Sequence, residues 1–178
     1  QLGGQVVRGG QHSMIAIRAD RGRLWTVLGL LVVLQFSVRP MLGYPAVAPD
    51  FLLLALMLYA IRSRPGAAAL AGFLVGLAGD AVSPARVGAG ALAHTLVGYL
   101  AAWGRAVFFP DNLFINGLVI ALGVWIRNAI QLAASGPGVG GVTMELLVWS
   151  PLQAVTTAIV AALVLVIFQR WLDIRLEE

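Results

Sequence analysis

Apolar runs of near-membrane length, each closed by a short link carrying proline, glycine or arginine, succeed one another from Leu24 to Trp171. No other feature restricts the fold as strongly. A bilayer's hydrocarbon core is about 30 Å thick and takes roughly 20 apolar residues per helix, so these runs supply about six spans. Backbone polar groups must pair inside lipid, which leaves helices or a closed barrel, and the runs are continuous rather than alternating. The expected fold is therefore an all-α integral membrane protein of about six helices. Hydrophobic residues make up 60% of the chain and charged residues 11%, a balance foreign to a soluble globular domain.

Taken in order, residues 1–23 read as a flexible cytoplasmic tail, residues 24–172 as one six-helix transmembrane domain and residues 173–178 as a short cytoplasmic tail. Met14 is a candidate native start. The first span runs over 24–42 and is interrupted late by Arg39-Pro40. Ala46-Val47-Ala48 matches a small-x-small cleavage pattern, but Pro49 follows directly, so the first helix is expected to stay uncleaved. Asp50 opens the second span as an N-cap, and Arg62-Ser63-Arg64-Pro65-Gly66 closes it in a tight turn that sends the third span, 67–81, back antiparallel. Both of these helices look short for a full crossing. A fourth span covers 87–108 and a fifth 113–134; Thr143 to Trp149 reads as a separate surface helix, with Ser150-Pro151 starting the last span as N-cap and first helical residue.

All of the basic residues are arginine. With both termini cytoplasmic, the inner side holds Arg8, Arg18, Arg21, Arg23, Arg62, Arg64, Arg105, Arg170 and Arg175, and the outer links hold Arg39 and Arg86. The net charge of +4 thus reflects membrane topology and not nucleic-acid binding. Cysteine is absent, which removes disulfides, thiolate metal sites and cysteine nucleophiles.

Candidate sites lie on the helices. Ala68, Gly72, Gly76 and Asp80 recur every four residues, as do Gly90, His94 and Gly98, so each set forms a stripe of small side chains suited to close helix contact. Either the two stripes pack on one another, or they form a groove for a partner's helix. Asp80, at the unfavourable end of its helix dipole, needs compensation from Arg86, Arg127 or a local turn. Arg127 sits well inside a span with Asn116, Gly123 and Gln131 on or beside its face, and Asp80 or Glu145 is the expected counter-charge. His94 reads as a hydrogen-bonded packing histidine, since no set of ligands at metal spacing accompanies it. No nucleophile-and-base arrangement, metalloprotease motif or phosphate-cradling loop is present, so neither an enzyme nor a cofactor is expected.

Pro49-Asp50-Phe51-Leu52-Leu53-Leu54, the run Gly72 to Asp80, and Pro84 with Gly88 before Ala91 to Leu100 resemble the rod shape-determining MreD proteins of bacteria. That resemblance implies a non-catalytic inner-membrane scaffold of the cell-elongation machinery. It further implies association with MreC, and through MreC with MreB, RodA and a class B transpeptidase that build lateral peptidoglycan. The implied fold is similar to the substrate-binding subunits of energy-coupling-factor transporters. Under this reading Asp50, Gly72, Gly76, Asp80, Pro84, Gly88, His94 and Gly98 shape the central helices against which MreC docks. A transporter subunit that binds a vitamin-type molecule is the alternative; Tyr44, Trp125, Arg127, Gln131, Trp149 and Gln153 are candidates to line its aromatic-rich outer pocket.

Overall fold

A computed structural model describes residues 22–82, 88–104, 113–135 and 143–172. The expectations placed on Met14, Ser83, Pro84, Arg86 and Arg105, on the link at 109–112 and on the side chain of Trp171 lie outside the described residues. Every regular element described is helical. They are α1 (Gly22–Ser37), α2 (Phe51–Ala60), α3 (Pro65–Val82), α4 (Ala89–Trp103), α5 (Leu113–Ser135) and α6 (Ser150–Leu172), with a short 3-10 turn at Arg39–Leu42.

The axis of the bundle is α2. Its sequence, FLLLALMLYA, is apolar all round, and every residue but Tyr59 is buried, as expected of a helix enclosed on all sides. It packs on α3, α4, α5 and α6. At a rise of 1.5 Å per residue, ten residues reach about 15 Å, whereas the 23 residues of α5 reach about 35 Å. The short second helix is thus an internal element around which longer ones stand. The Arg39–Leu42 turn and the loop after it descend to its start. The carboxylate of Asp50 accepts the Leu53 N–H at 2.9 Å, the N-cap expected from Pro49-Asp50.

Around this axis each helix buries a stripe at three-to-four-residue spacing. Val27, Leu31 and Gln35 face inward from α1, Ile120, Val124 and Arg127 from α5, and Ala154, Thr157 and Ala161 from α6. The outer faces remain apolar. Leu70, Phe73, Leu74 and Leu77 on α3 and Leu92, Leu96, Tyr99 and Leu100 on α4 are all more than 36% exposed, apolar surface of the kind that marks a membrane or protein contact. Among the described residues two helical stretches, Phe114–Ala134 and Glu145–Ile167, are long and apolar enough to cross a membrane.

The most extensive interface joins α3 to α4. Glycine explains how closely they approach: a Cβ added at Gly76 would lie 2.5 Å from Ala91 Cα, and one at Gly98 would lie 2.6 Å from the Ala68 carbonyl oxygen. Gly72 presses in the same way on the backbone of His94. The small-residue stripes therefore face one another inside the chain, and no groove for a partner's helix is left along them.

At α6 the structure departs from the expected surface helix. Glu145–Trp149 is a π-helical turn that runs directly into α6, and Ser150 has ordinary helical angles rather than those of an N-cap. Proline within a helix lacks an N–H and crowds the carbonyl four residues back, so a widened turn accommodates Pro151. The Ser150 N–H reaches the Glu145 carbonyl. That leaves the Leu146 carbonyl open, and the Trp125 indole N–H fills it at 3.1 Å.

Candidate functional site

The site is a buried polar layer where the loop leading into α2 meets α1, α5 and α6. A loop this deep needs partners for its backbone groups, and side chains of the surrounding helices supply them. The Phe51 N–H donates to Gln35 Oε1 at 3.1 Å and the Asp50 N–H to Thr157 Oγ1 at 3.1 Å. Gln153 Nε2 donates to the Ala48 carbonyl at 3.1 Å, and Thr156 Oγ1 to that of Val47 at 2.7 Å. Asn128 Nδ2 donates in turn to Gln153 Oε1 at 2.9 Å. Ala46-Val47-Ala48 is thus tied into the folded interior, and Ala48 itself is buried.

At the centre of the layer stands an ion pair. Arg127 of α5 donates from Nη2 to Asp50 Oδ2, while its Nη1 reaches Gln131 Oε1 at 2.9 Å. Neither Asp80 nor Glu145 is its counter-charge: the partner is the α2 cap residue, so the carboxylate that terminates α2 also neutralises α5. Burying both charges is costly unless they are paired; here they are paired and Nη1 and Nη2 are hydrogen-bonded, while Arg127 Nε is buried without a partner.

Asp80 does not pair with Arg127, and the described residues give it a partner that was not expected. Its carboxylate accepts three backbone N–H groups at the start of α4, from Gly88 at 2.8 Å, Gly90 at 3.1 Å and Ala91 at 3.0 Å. A residue at the end of α3 therefore caps its neighbour, and the positive end of the α4 dipole offsets the unfavourable end of α3. Gly88 adopts φ 94°, a left-handed conformation that glycine takes without a steric penalty. Gly90 leaves the space occupied by the Asp80 carboxylate.

His94 is buried, with Nδ1 2.8 Å from the Gly90 carbonyl. Because a carbonyl only accepts, Nδ1 carries the proton, and Nε2 is a buried atom without a partner.

These groups border a cavity of about 400 Å³ whose lining includes Gln35, Asp50, Asp80, His94, Arg127 and Gln153. Of the residues anticipated for an aromatic-rich pocket, Arg127, Gln131 and Gln153 reach it and Tyr44, Trp125 and Trp149 do not. Tyr44 is 76% exposed, and Trp125 is engaged with Leu146. Among the described residues no phenyl, phenol or indole ring borders the cavity. Gln35, Asn128 and Thr157 were not anticipated, although Gln153 and Thr157 share one helix face and Gln35 with Arg39 another. Among the described residues no cluster of three histidine or acidic side chains could hold a metal ion.

Compared with known proteins, residues 21–174 match the family model of the rod shape-determining protein MreD. The chain belongs to the MreD family. The match spans α1 to α6 and includes Asp50, Asp80, His94 and Arg127. MreD proteins are membrane proteins of the rod shape-determining system, so the exposed apolar faces of α3 and α4 have a solvent suited to them. No curated protein and no solved structure matches the chain.

Proposed function

We propose that this MreD-family chain is a multi-pass protein of the bacterial cytoplasmic membrane that serves cell elongation as a non-catalytic scaffold. In this reading it binds MreC and, through MreC, organises MreB, RodA and a class B transpeptidase around lateral peptidoglycan synthesis. The family match over residues 21–174 is the observation that carries it. Arginine placement supports six spans with both termini cytoplasmic, which turns the Asp50 end of α2 and its cavity toward the outer face. The expected likeness to energy-coupling-factor substrate-binding subunits belongs to the same proposal.

With the glycine stripes engaged between α3 and α4, an MreC helix has to use an outer apolar face of the bundle. The competing reading, a vitamin-binding transporter subunit, draws support from the cavity and finds no aromatic wall there among the described residues.

Purification in mild detergent after co-expression with MreC tests the scaffold. Stoichiometric co-purification of MreC is the expected result. A chain that holds a small molecule tightly and leaves MreC in the flow-through would overturn it.

A further inference from the structure

The cavity beside Asp50 and Arg127 carries more hydrogen-bonding capacity than the fold uses. At about 400 Å³ it falls within the size range of small-molecule sites. Its charged residues separate into two groups. Asp50 and Arg127 neutralise one another, and three backbone N–H groups satisfy Asp80. Arg39 and Glu145 also border the cavity, yet neither takes part in an ion pair among the described residues. Arg39 Nε is buried with no hydrogen-bond partner, and so are Nε of Arg127 and Nε2 of His94, a side chain 7% exposed. Unmet buried polar atoms of this kind cost free energy, and a cavity at their side is where a ligand would satisfy them.

Beside the chamber lies a second hollow of about 190 Å³, which shares Gln35, Arg39, Pro45, Leu52 and Gly79 with it and adds Phe36 and Pro40. Arg39 thus stands between a polar chamber and a largely apolar slot. That sequence of environments matches an amphiphile with a phosphate between its headgroup and its hydrocarbon. Guanidinium groups recognise phosphate oxygens through charge-assisted hydrogen bonds. In its imidazole form, with Nδ1 donating to the Gly90 carbonyl, His94 offers Nε2 as an acceptor, and Glu145 offers carboxylate oxygens, so the headgroup should carry O–H or N–H donors.

We propose that the chamber and slot together bind one phosphate-bearing amphiphile with a donor-bearing headgroup, its phosphate on Arg39 and its headgroup toward His94 and Glu145. The site rests on the membrane placement proposed above but not on MreC binding. A phospholipid of the surrounding bilayer and a soluble phosphate ester share the headgroup chemistry, and experiment separates them.

Full-length protein is purified in mild detergent and exhaustively washed, and its retained phospholipid is quantified by mass spectrometry. Its thermal midpoint is then followed with added long-chain phosphatidylglycerol, phosphatidylethanolamine or soluble glycerol 3-phosphate. About one retained phospholipid per chain, and a midpoint raised by a long-chain lipid, is the expected result. A shift with glycerol 3-phosphate alone would support the headgroup chemistry and overturn the membrane source. Arg39→Gln and Glu145→Gln should each weaken lipid retention roughly tenfold, the loss of one charge-assisted hydrogen bond. Absence of both retained lipid and any midpoint shift in the wild-type protein overturns the site, whatever the variants do. Retention by both variants equal to wild type overturns it as well. Either outcome with MreC still co-purifying removes the ligand site and leaves the scaffold standing.

Discussion

Arg127 of α5 donates to the carboxylate of Asp50, the residue that caps α2, so one ion pair joins the start of the axial helix to the interior of a long apolar helix packed against it. Asp50 serves two N–H donors at once, those of Leu53 and the guanidinium. Removing either partner leaves the other charge buried and uncompensated.

For that reason Arg127→Met should destabilise the folded protein by about 3–5 kcal/mol. Asp50→Asn keeps a capping side chain and loses the charge, yet it still strands the guanidinium. The combined Asp50→Asn/Arg127→Met protein should recover part of the loss. Thermal unfolding of the four proteins in one detergent measures this, and strictly additive losses would argue against the pair.

Gly76→Leu and Gly98→Leu should separate α3 from α4, since each new side chain starts against the backbone of the facing helix. Overpacking costs typically about 1–3 kcal/mol, and contact with backbone atoms places these at or above the upper end. Gly79→Ala is the matched control, because its Cβ would meet only Leu52 Cδ1 at 4.0 Å. Equal melting temperatures for Gly76→Leu and Gly79→Ala would contradict the internal packing of the stripe.

Asp80→Ala removes the acceptor for three N–H groups at the head of α4. A stranded buried donor costs about 1–3 kcal/mol, and some of the three regain water. Asp80→Asn, which retains one acceptor oxygen, should lie between alanine and wild type. Faster amide exchange confined to Gly88, Gly90 and Ala91 is the local signature; unchanged exchange there would exclude the cap.

Trp125→Phe keeps an aromatic ring and deletes the donor that fills the Leu146 carbonyl. Its expected cost is about 1 kcal/mol. In a Pro151→Ala background, where the last helix regains an N–H and can close a regular turn, the cost should shrink. A double-mutant cycle with no coupling would detach the tryptophan from the π turn.

Much of this architecture was legible in local chemistry. Pro49-Asp50 before a leucine run announces a capped helix, and the four-residue spacing of Gly72 and Gly76 announces close contact. What the spacing cannot say is which surface lies opposite; that takes the fold, and the answer was α4. Arg127 was legible as a buried charge because it stands alone in an apolar run. Its partner was not, since Asp50 lies 77 residues away and its capping role already explained it. Gln35, Asn128 and Thr157 escaped notice because a single amide or hydroxyl in an apolar helix carries no pattern of its own; they matter only where the deep loop before α2 needs partners. Ser150-Pro151 misled for a physical reason, as a π turn lets proline sit inside a helix at a place that otherwise reads as a beginning.

The central claim is that this bundle serves rod-shape determination as a scaffold. Cell dimensions test it most directly: in the native host, the gene is deleted and then restored as wild type or as Arg127→Met, with the abundance of each protein measured. The account predicts rounded, widened cells on deletion, rods with the wild-type gene, and a shape defect with Arg127→Met that follows its loss of folded protein. Cells that keep their rod dimensions after deletion would contradict it.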